Sequence, residues 1–209
     1  IRNMSVIFNQ IESEILPTLR RGEIAFNFSG VQKTEQEVAR MAITNPDNLT
    51  FDELMYAASL THNYASKLQI YTAATERFAS EWAGWNNAGA IALYLNQLED
   101  SKRFLETADK LSPNNGMILA NLSLMALAYK DIELADHYVQ RAIEAGNDQA
   151  EMNQAIILIK QARYEEAAEQ LDGRKCTYNL ALLQLLTENT GNAIRTLDCC
   201  MDQTSEVHY

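Results

Sequence analysis

The sequence predicts an all-α protein built as a solenoid of stacked helical hairpins, with one short strand near its N-terminus. Three recurring features carry that prediction. Asn87, Asn121, Asn153 and Asn179 stand at matching places in four similar stretches, spaced 26 to 34 residues apart. Each is followed, again at a matching place, by a small residue: Ser101, Ala135, Ala167 and Ala193. Four residues further comes an apolar one: Leu105, Val139, Leu171 and Leu197. A helix-sized period of this length marks repeated supersecondary units, each burying its apolar face against its neighbours.

The N-terminal part reads differently from the rest. Residues 1–16 place Met4, Ile7, Phe8, Ile11, Ile15 and Leu16 at helix spacing, and Pro17 ends the pattern. Between Gly22 and Gly30, Ile24, Phe26 and Phe28 alternate with Ala25 and Asn27, the period-two signature of a strand. A lone strand leaves its backbone groups unpaired. Residues 1–33 therefore read as the remnant of a preceding domain or sheet.

Helices are expected from residue 34 onward. Thr34 with Glu37 and Thr50 with Glu53 have capping-box spacing, and Asn45-Pro46 separates the two helices they open. Residues 51–61 and 64–78 form a hairpin, with Leu54, Ala57 and Ala58 facing Leu68, Tyr71, Ala74 and Phe78. Residues 34–81 thus read as degenerate helical hairpins. Four clear repeats occupy 82–209. Their hairpin turns fall at Asn96-Gln97, Lys130-Asp131, Ala162-Arg163 and Asn189-Thr190-Gly191. The third repeat is short because Asp172-Gly173 offers a left-handed helix stop.

The first repeat resembles the tetratricopeptide motif. Trp85, Ala88, Gly89, Ala92, Ser101, Leu105, Ala108 and Pro113 fall on its places, with Ala88, Ala92 and Leu105 departing from the usual Leu, Tyr and aromatic residue. The other three repeats follow in phase through Ser123 with Ala135, Ala155 with Ala167, and Ala181 with Ala193. The resemblance implies a right-handed α-α superhelix in which these small residues let paired helices approach closely. It also implies a non-enzymatic scaffold for protein–protein interaction, with the Asn row lining the concave surface. An Asn amide offers two donors and an acceptor, which suits the backbone of an extended peptide. The ligand-binding groove expected from this register comprises Asn86, Asn87, Tyr94, Asn121, Leu124, Met152, Asn153, Lys160, Tyr178 and Asn179, with Leu182 beside them. Lys160 and Lys175 are too few for the carboxylate clamp that some such domains use.

A second resemblance concerns the first residues. Leu19-Arg20-Arg21, the alternating stretch and Thr34-Glu35-Gln36-Glu37 are similar to a segment preceding such repeats in cell-envelope proteins of Bacteroidetes, some of which carry an OmpA-like domain. It implies a periplasmic or outer-membrane-associated place, with the cytoplasm as the alternative.

Composition narrows the remaining classes. The net charge of −11, without any basic cluster, argues against a nucleic-acid partner. No run of 18 apolar residues suggests a membrane span. The chain opens with Ile1-Arg2-Asn3 and no signal-peptide pattern, as an excised or processed chain would. Its three cysteines, Cys176, Cys199 and Cys200, make a poor disulfide framework. They read as small half-buried helix residues, or else as a reactive or intermolecular thiol. Neither they nor His62, His137 and His208 have metal-ligand spacing. No nucleophile elbow, P-loop or zincin motif occurs, so no enzyme activity, cofactor or metal is expected. Glu12, Glu14, Glu165 and Glu166 read as solvated helix faces. The alternative function is self-association, because the last helix, expected at 192–203, carries Ile194, Leu197, Cys200 and Met201 with no polar helix after it. A homo-oligomer is the partner that reading implies.

Overall fold

The small residues of the four repeats sit where two helices of a hairpin touch. Ser123, Ala155, Ser101, Ala135 and Ala167 are fully buried, and Ala181 and Ala193 nearly so. The Ser101 hydroxyl donates to the Gly89 carbonyl across 2.9 Å, joining the two helices of the first repeat at their closest approach. A Cβ on Gly89 would lie 2.6 Å from Leu105 Cγ, so no larger residue fits there without moving the core.

The computed structural model describes residues 33–206, with side chains through Met201. The predicted helix at 1–16 and the strand at 19–28 lie outside the described residues. By their contacts Ile1–Thr34 and Glu35–Tyr209 are separate units, and every described helix belongs to the second. The helices are α1 (Glu35–Thr44), α2 (Phe51–Leu60), α3 (Tyr64–Arg77), α4 (Trp82–Tyr94), α5 (Leu98–Leu111), α6 (Gly116–Ala128), α7 (Ile132–Glu144), α8 (Ala150–Lys160), α9 (Tyr164–Gln170), α10 (Tyr178–Leu186) and α11 (Thr190–Glu206). A 3₁₀ turn at Pro46–Asn48 links α1 to α2. The described residues contain no strand.

Local chemistry sets the helix ends. Thr50 forms the predicted capping box: Glu53 N–H donates to its hydroxyl at 3.2 Å, and its own N–H donates to the Glu53 carboxylate at 2.8 Å. Asn63, Asn115, Asp131 and Thr177 each accept a backbone N–H at the start of α3, α6, α7 and α10. The turns inside the repeats share one geometry. Asn96, Lys130, Ala162 and Glu188 all have φ near +60°, each nine residues after its repeat's Asn. In each, the next N–H bonds back to the carbonyl five residues before it, at 2.7–2.9 Å, which is the Schellman closure. The short α9 ends at Gln170, earlier than the expected Asp172-Gly173 stop, and Gly173, at φ +74°, lies in the turn that follows. The last turn departs from expectation. Its left-handed residue is Glu188, and Thr190 and Gly191 already lie in α11, which starts two residues earlier than the spacing suggested.

Consecutive helices pack as antiparallel pairs, and the first helix of each repeat lies on the hairpin before it. Thus α6 packs on α4 and α5, α8 on α6 and α7, and α10 on α8 and α9. The core is accordingly a series of clusters along the stack. One joins Val38, Leu49, Leu54, Ala58, Ile70 and Ala74 under α1–α3. Phe104, Ala88 and Ala92 form the next, with Tyr71 shared between the two. Leu68, expected inside the α2–α3 hairpin, turns instead to this second cluster. The largest centres on α6 and α7, and a fourth holds Ala155, Leu158, Ala167, Leu171 and Leu183. Leu105, Val139 and Leu171, the predicted apolar positions, are at most 1% exposed. Burying each contributes about 1.5–3 kcal/mol.

One expectation about the cysteines is overturned. Cys176 and Cys199 form a disulfide across 23 residues, while Cys200 is a buried free thiol. The odd count hid this because adjacent residues on a helix point in different directions. Cys199 turns toward the loop before α10, and Cys200 turns into the core. Closing a loop of this size restricts the unfolded chain by roughly 3 kcal/mol.

Two opposite exchanges test this packing. Gly89→Ala gains about 1 kcal/mol of helix propensity but overpacks Leu105 by about 1–3 kcal/mol, so the net effect is a loss. Ala162→Gly relieves a left-handed Ala by about 1 kcal/mol and raises stability. Urea titration of the two variants shows midpoints shifted in opposite directions from wild type.

Candidate functional site

The first helices of the repeats, α4, α6, α8 and α10, stand side by side and carry the Asn row. Their amides reach backward along the stack. Asn121 Nδ2 donates to Asn86 Oδ1 at 2.9 Å. Asn153 Nδ2 donates to the Ala120 carbonyl at 3.0 Å and to the Ser123 hydroxyl at 3.2 Å. Asn179 Nδ2 donates to the Met152 carbonyl at 3.0 Å. Asn87 follows the same direction more weakly, toward the Met55 sulfur at 3.7 Å. A backbone carbonyl can only accept, so the orientation of Asn153 and Asn179 is dictated by their partners.

This bonding decides what the row still offers. Asn153 directs its amide nitrogen to two adjacent acceptors, the Ala120 carbonyl and the Ser123 hydroxyl, which are themselves 2.7 Å apart. Asn121 and Asn179 keep one N–H and the oxygen. The amides are therefore bolts between repeats first.

A cleft of about 550 Å³ opens along α6 and α8. Five of the predicted groove residues line it: Asn86, Asn121, Leu124, Met152 and Asn153. Met117, about half exposed, adds to its apolar floor. Its rim comes from residues that repeat spacing did not single out: Asn147, Asp148, Gln149 and Arg174. Asn147 is itself a turn fastener, donating to the Gly116 carbonyl at 2.8 Å and accepting from Gln149 N–H at 3.0 Å. Arg174 reaches Glu151 at 3.3 Å, and both are well exposed, so the pair contributes little energy. The turn sequence Asn147-Asp148-Gln149 lies between periodic helices, where a helix register gives no signal.

The other predicted groove residues lie outside this cleft. Asn87 and Asn179 hold neighbouring helices, as described. Tyr94 is 66% exposed and stacks on Tyr64, ring centroids 4.0 Å apart, across α3 and α4. Donating its hydroxyl to that neighbour raises the Tyr94 pKa. Lys160 is exposed at the end of α8, and Tyr178 is exposed at the start of α10. The Glu165–Glu166 pair lies on α9, where Arg163 bonds Glu166 in two places and lowers its carboxyl pKa. Among the described residues no group of His, Cys, Asp and Glu is placed to hold a metal ion. No described helix is long and apolar enough to cross a membrane.

With the stack and its cleft in view, solved structures match the architecture. The crystal structure of YrrB, a TPR protein with an unusual peptide-binding site, superposes with a TM-score of 0.51. The alignment has 20% identity and covers 81% of this chain and 93% of that one. This chain has the tetratricopeptide-repeat (TPR) fold. A second TPR-type match is the APC/C hetero-tetramer Cut9-Hcn1, with a TM-score of 0.64 and 17% identity over 79% of this chain. The match spans 35% of that chain, about a third of its length. No family model matches the sequence, and no curated protein does. The TPR likeness thus rests on helix arrangement, which the small-residue register explains.

The bolting role of the row has a measurable consequence. Asn153→Ala removes the bond that ties α8 to the Ala120 carbonyl of α6, a carbonyl that still accepts from the Ser123 hydroxyl, and stability falls by about 0.5–1.5 kcal/mol. Lys160→Ala, at an exposed position, stays within about 0.5 kcal/mol of wild type. Equilibrium urea unfolding distinguishes the two.

Proposed function

We propose that this protein is a non-enzymatic scaffold that binds an extended polypeptide segment in the cleft along α6 and α8. The observation that carries the reading is the lining of that cleft. Met117, Leu124 and Met152 provide an adaptable apolar floor, and the Asn121 and Asn153 amides stand beside it. A peptide backbone meets these amides with its N–H and C=O groups while one apolar side chain seats on the floor. That division, main-chain bonds for affinity and a side-chain anchor for selectivity, is a recurrent way to bind extended chains. The volume is within the range of sites for small ligands and short segments. YrrB, with the same repeat architecture, is described by its peptide-binding site, which favours this use of the fold.

The Cys176–Cys199 disulfide supports an oxidising compartment, consistent with the periplasmic or outer-membrane setting inferred from the N-terminal segment. Arg174 in the rim is a single cation already beside Glu151, so recognition of a free C-terminal carboxylate is not part of the proposal.

The test is selection of binders from a random peptide library displayed against the chain, followed by Leu124→Asp. Leu124 is half-buried in the cleft floor, and the substitution weakens selected peptides by about tenfold or more, some 1.4 kcal/mol. Far-UV circular dichroism reports whether the fold is kept. Peptides that bind the folded variant as well as wild type contradict the cleft as the binding site.

A further inference from the structure

The connection from α9 to α10, residues 171–177, is held differently from the connections before it. α9 has 7 residues, whereas its counterparts α5 and α7 have 14 and 13. The third hairpin therefore stops short, and Asp172, Gly173, Arg174 and Lys175 run exposed toward α10. In the two earlier connections amides do the fastening. Asn114 accepts from Arg141 at 2.6 Å, and Asn147 donates to the Gly116 carbonyl at 2.8 Å. No amide side chain stands in 171–177. Two other links tie this connection to the helices around it: Arg174 reaches Glu151 on α8 at 3.3 Å, and Cys176 is bridged to Cys199 on α11. The ion pair is exposed and contributes little, so the bridge is the link that holds.

That link sits next to the cleft. Arg174 lines the cleft and stands two residues before Cys176, a distance the chain spans in at most about 7 Å. Fixing Cys176 therefore confines Arg174 to the rim, where its side-chain stem forms part of the wall. Cys176 and Cys199 are both partly exposed, which gives a dithiol access to the bridge. Cys200 is 4% exposed in the core, so exchange is confined to the bridge itself.

We propose that the Cys176–Cys199 disulfide is a redox control of the cleft: bridged, it holds Arg174 in the rim, and opened by a dithiol it frees the connection and weakens binding. The proposal rests on the cleft being the peptide site. In an oxidising compartment the bridged form is the resting one. For opening, one thiolate of the dithiol attacks a bridge sulfur, the S–S bond breaks, and the other cysteine leaves as a thiolate that takes up a proton. The second thiol of the reagent then displaces the mixed disulfide. Two electrons and two protons pass to Cys176 and Cys199, and the dithiol becomes a disulfide.

Titration of the full 209-residue chain with dithiothreitol tests this, the bridge being followed by thiol alkylation and mass spectrometry. A fluorescently labelled peptide selected from the library against the bridged chain binds the reduced chain about fivefold or more weakly. By linkage, saturating peptide raises the dithiol-to-disulfide ratio needed to open the bridge by the same factor. Arg174→Ala in the bridged chain lowers affinity toward the reduced value and removes most of the difference between the two redox forms. On reduction, amide exchange quickens in 171–177 while α4–α7 keep their protection. Equal binding by the two redox forms overturns the control and leaves the cleft as the peptide site. Unchanged exchange in 171–177 overturns it, and so does loss of protection throughout the chain, which makes the bridge a support of the whole fold. An Arg174→Ala chain that keeps the full redox difference contradicts the route through the rim. A chain that binds no peptide in either form overturns the cleft reading, and the control with it.

Discussion

Close approach of paired helices is the constraint on which the rest of this molecule depends. It needs small residues on both sides of each contact. Gly89 opposite Ser101 is its tightest example, with a hydroxyl-to-carbonyl bond of 2.9 Å and no room for a Cβ. The same requirement recurs at Ser123 with Ala135, Ala155 with Ala167, and Ala181 with Ala193. Once the hairpins are held this closely, Leu105, Val139 and Leu171 are enclosed by their own repeat and the next. The core becomes a chain of neighbouring clusters, as repeat proteins require.

The Asn row adds a second, lateral link. Each amide donates into the preceding repeat, so the row of first helices is fastened to the stack by hydrogen bonds. A fastened row is preorganised, which reduces the ordering that binding must otherwise impose. The same bonds engage part of each amide within the stack, so the cleft offers an apolar floor with partly committed amides beside it.

Much of this was legible from residue order. The phase of Asn87, Asn121, Asn153 and Asn179 with the small residues is a property of helix geometry, and a period survives in sequence. The capping box at Thr50 and the left-handed turn at Gly173 were equally readable, since each rests on local side-chain or backbone chemistry. Three kinds of feature were not. Lys130, Ala162 and Glu188 take left-handed turns without being Gly or Asn, because the Schellman bonds and packing outweigh the local preference. The Cys176–Cys199 bridge depends on which way two adjacent side chains point, and a count of cysteines does not encode direction. In the cleft, Leu124 and Met152 followed from the helix register, whereas Asp148, Gln149 and Arg174 come from connections that have no period. Tyr94 shared that register but was drawn to Tyr64, an attraction between aromatic rings that a repeat alignment does not contain.

Amide hydrogen exchange resolved by helix is the most direct examination of the linear stack. If each hairpin is held only by its neighbours, protection is greatest in α4–α7, which are covered on both sides, and falls stepwise toward α1 and α11. Uniform protection from α1 to α11, lost in a single step with denaturant, would instead indicate one closed core and contradict the account.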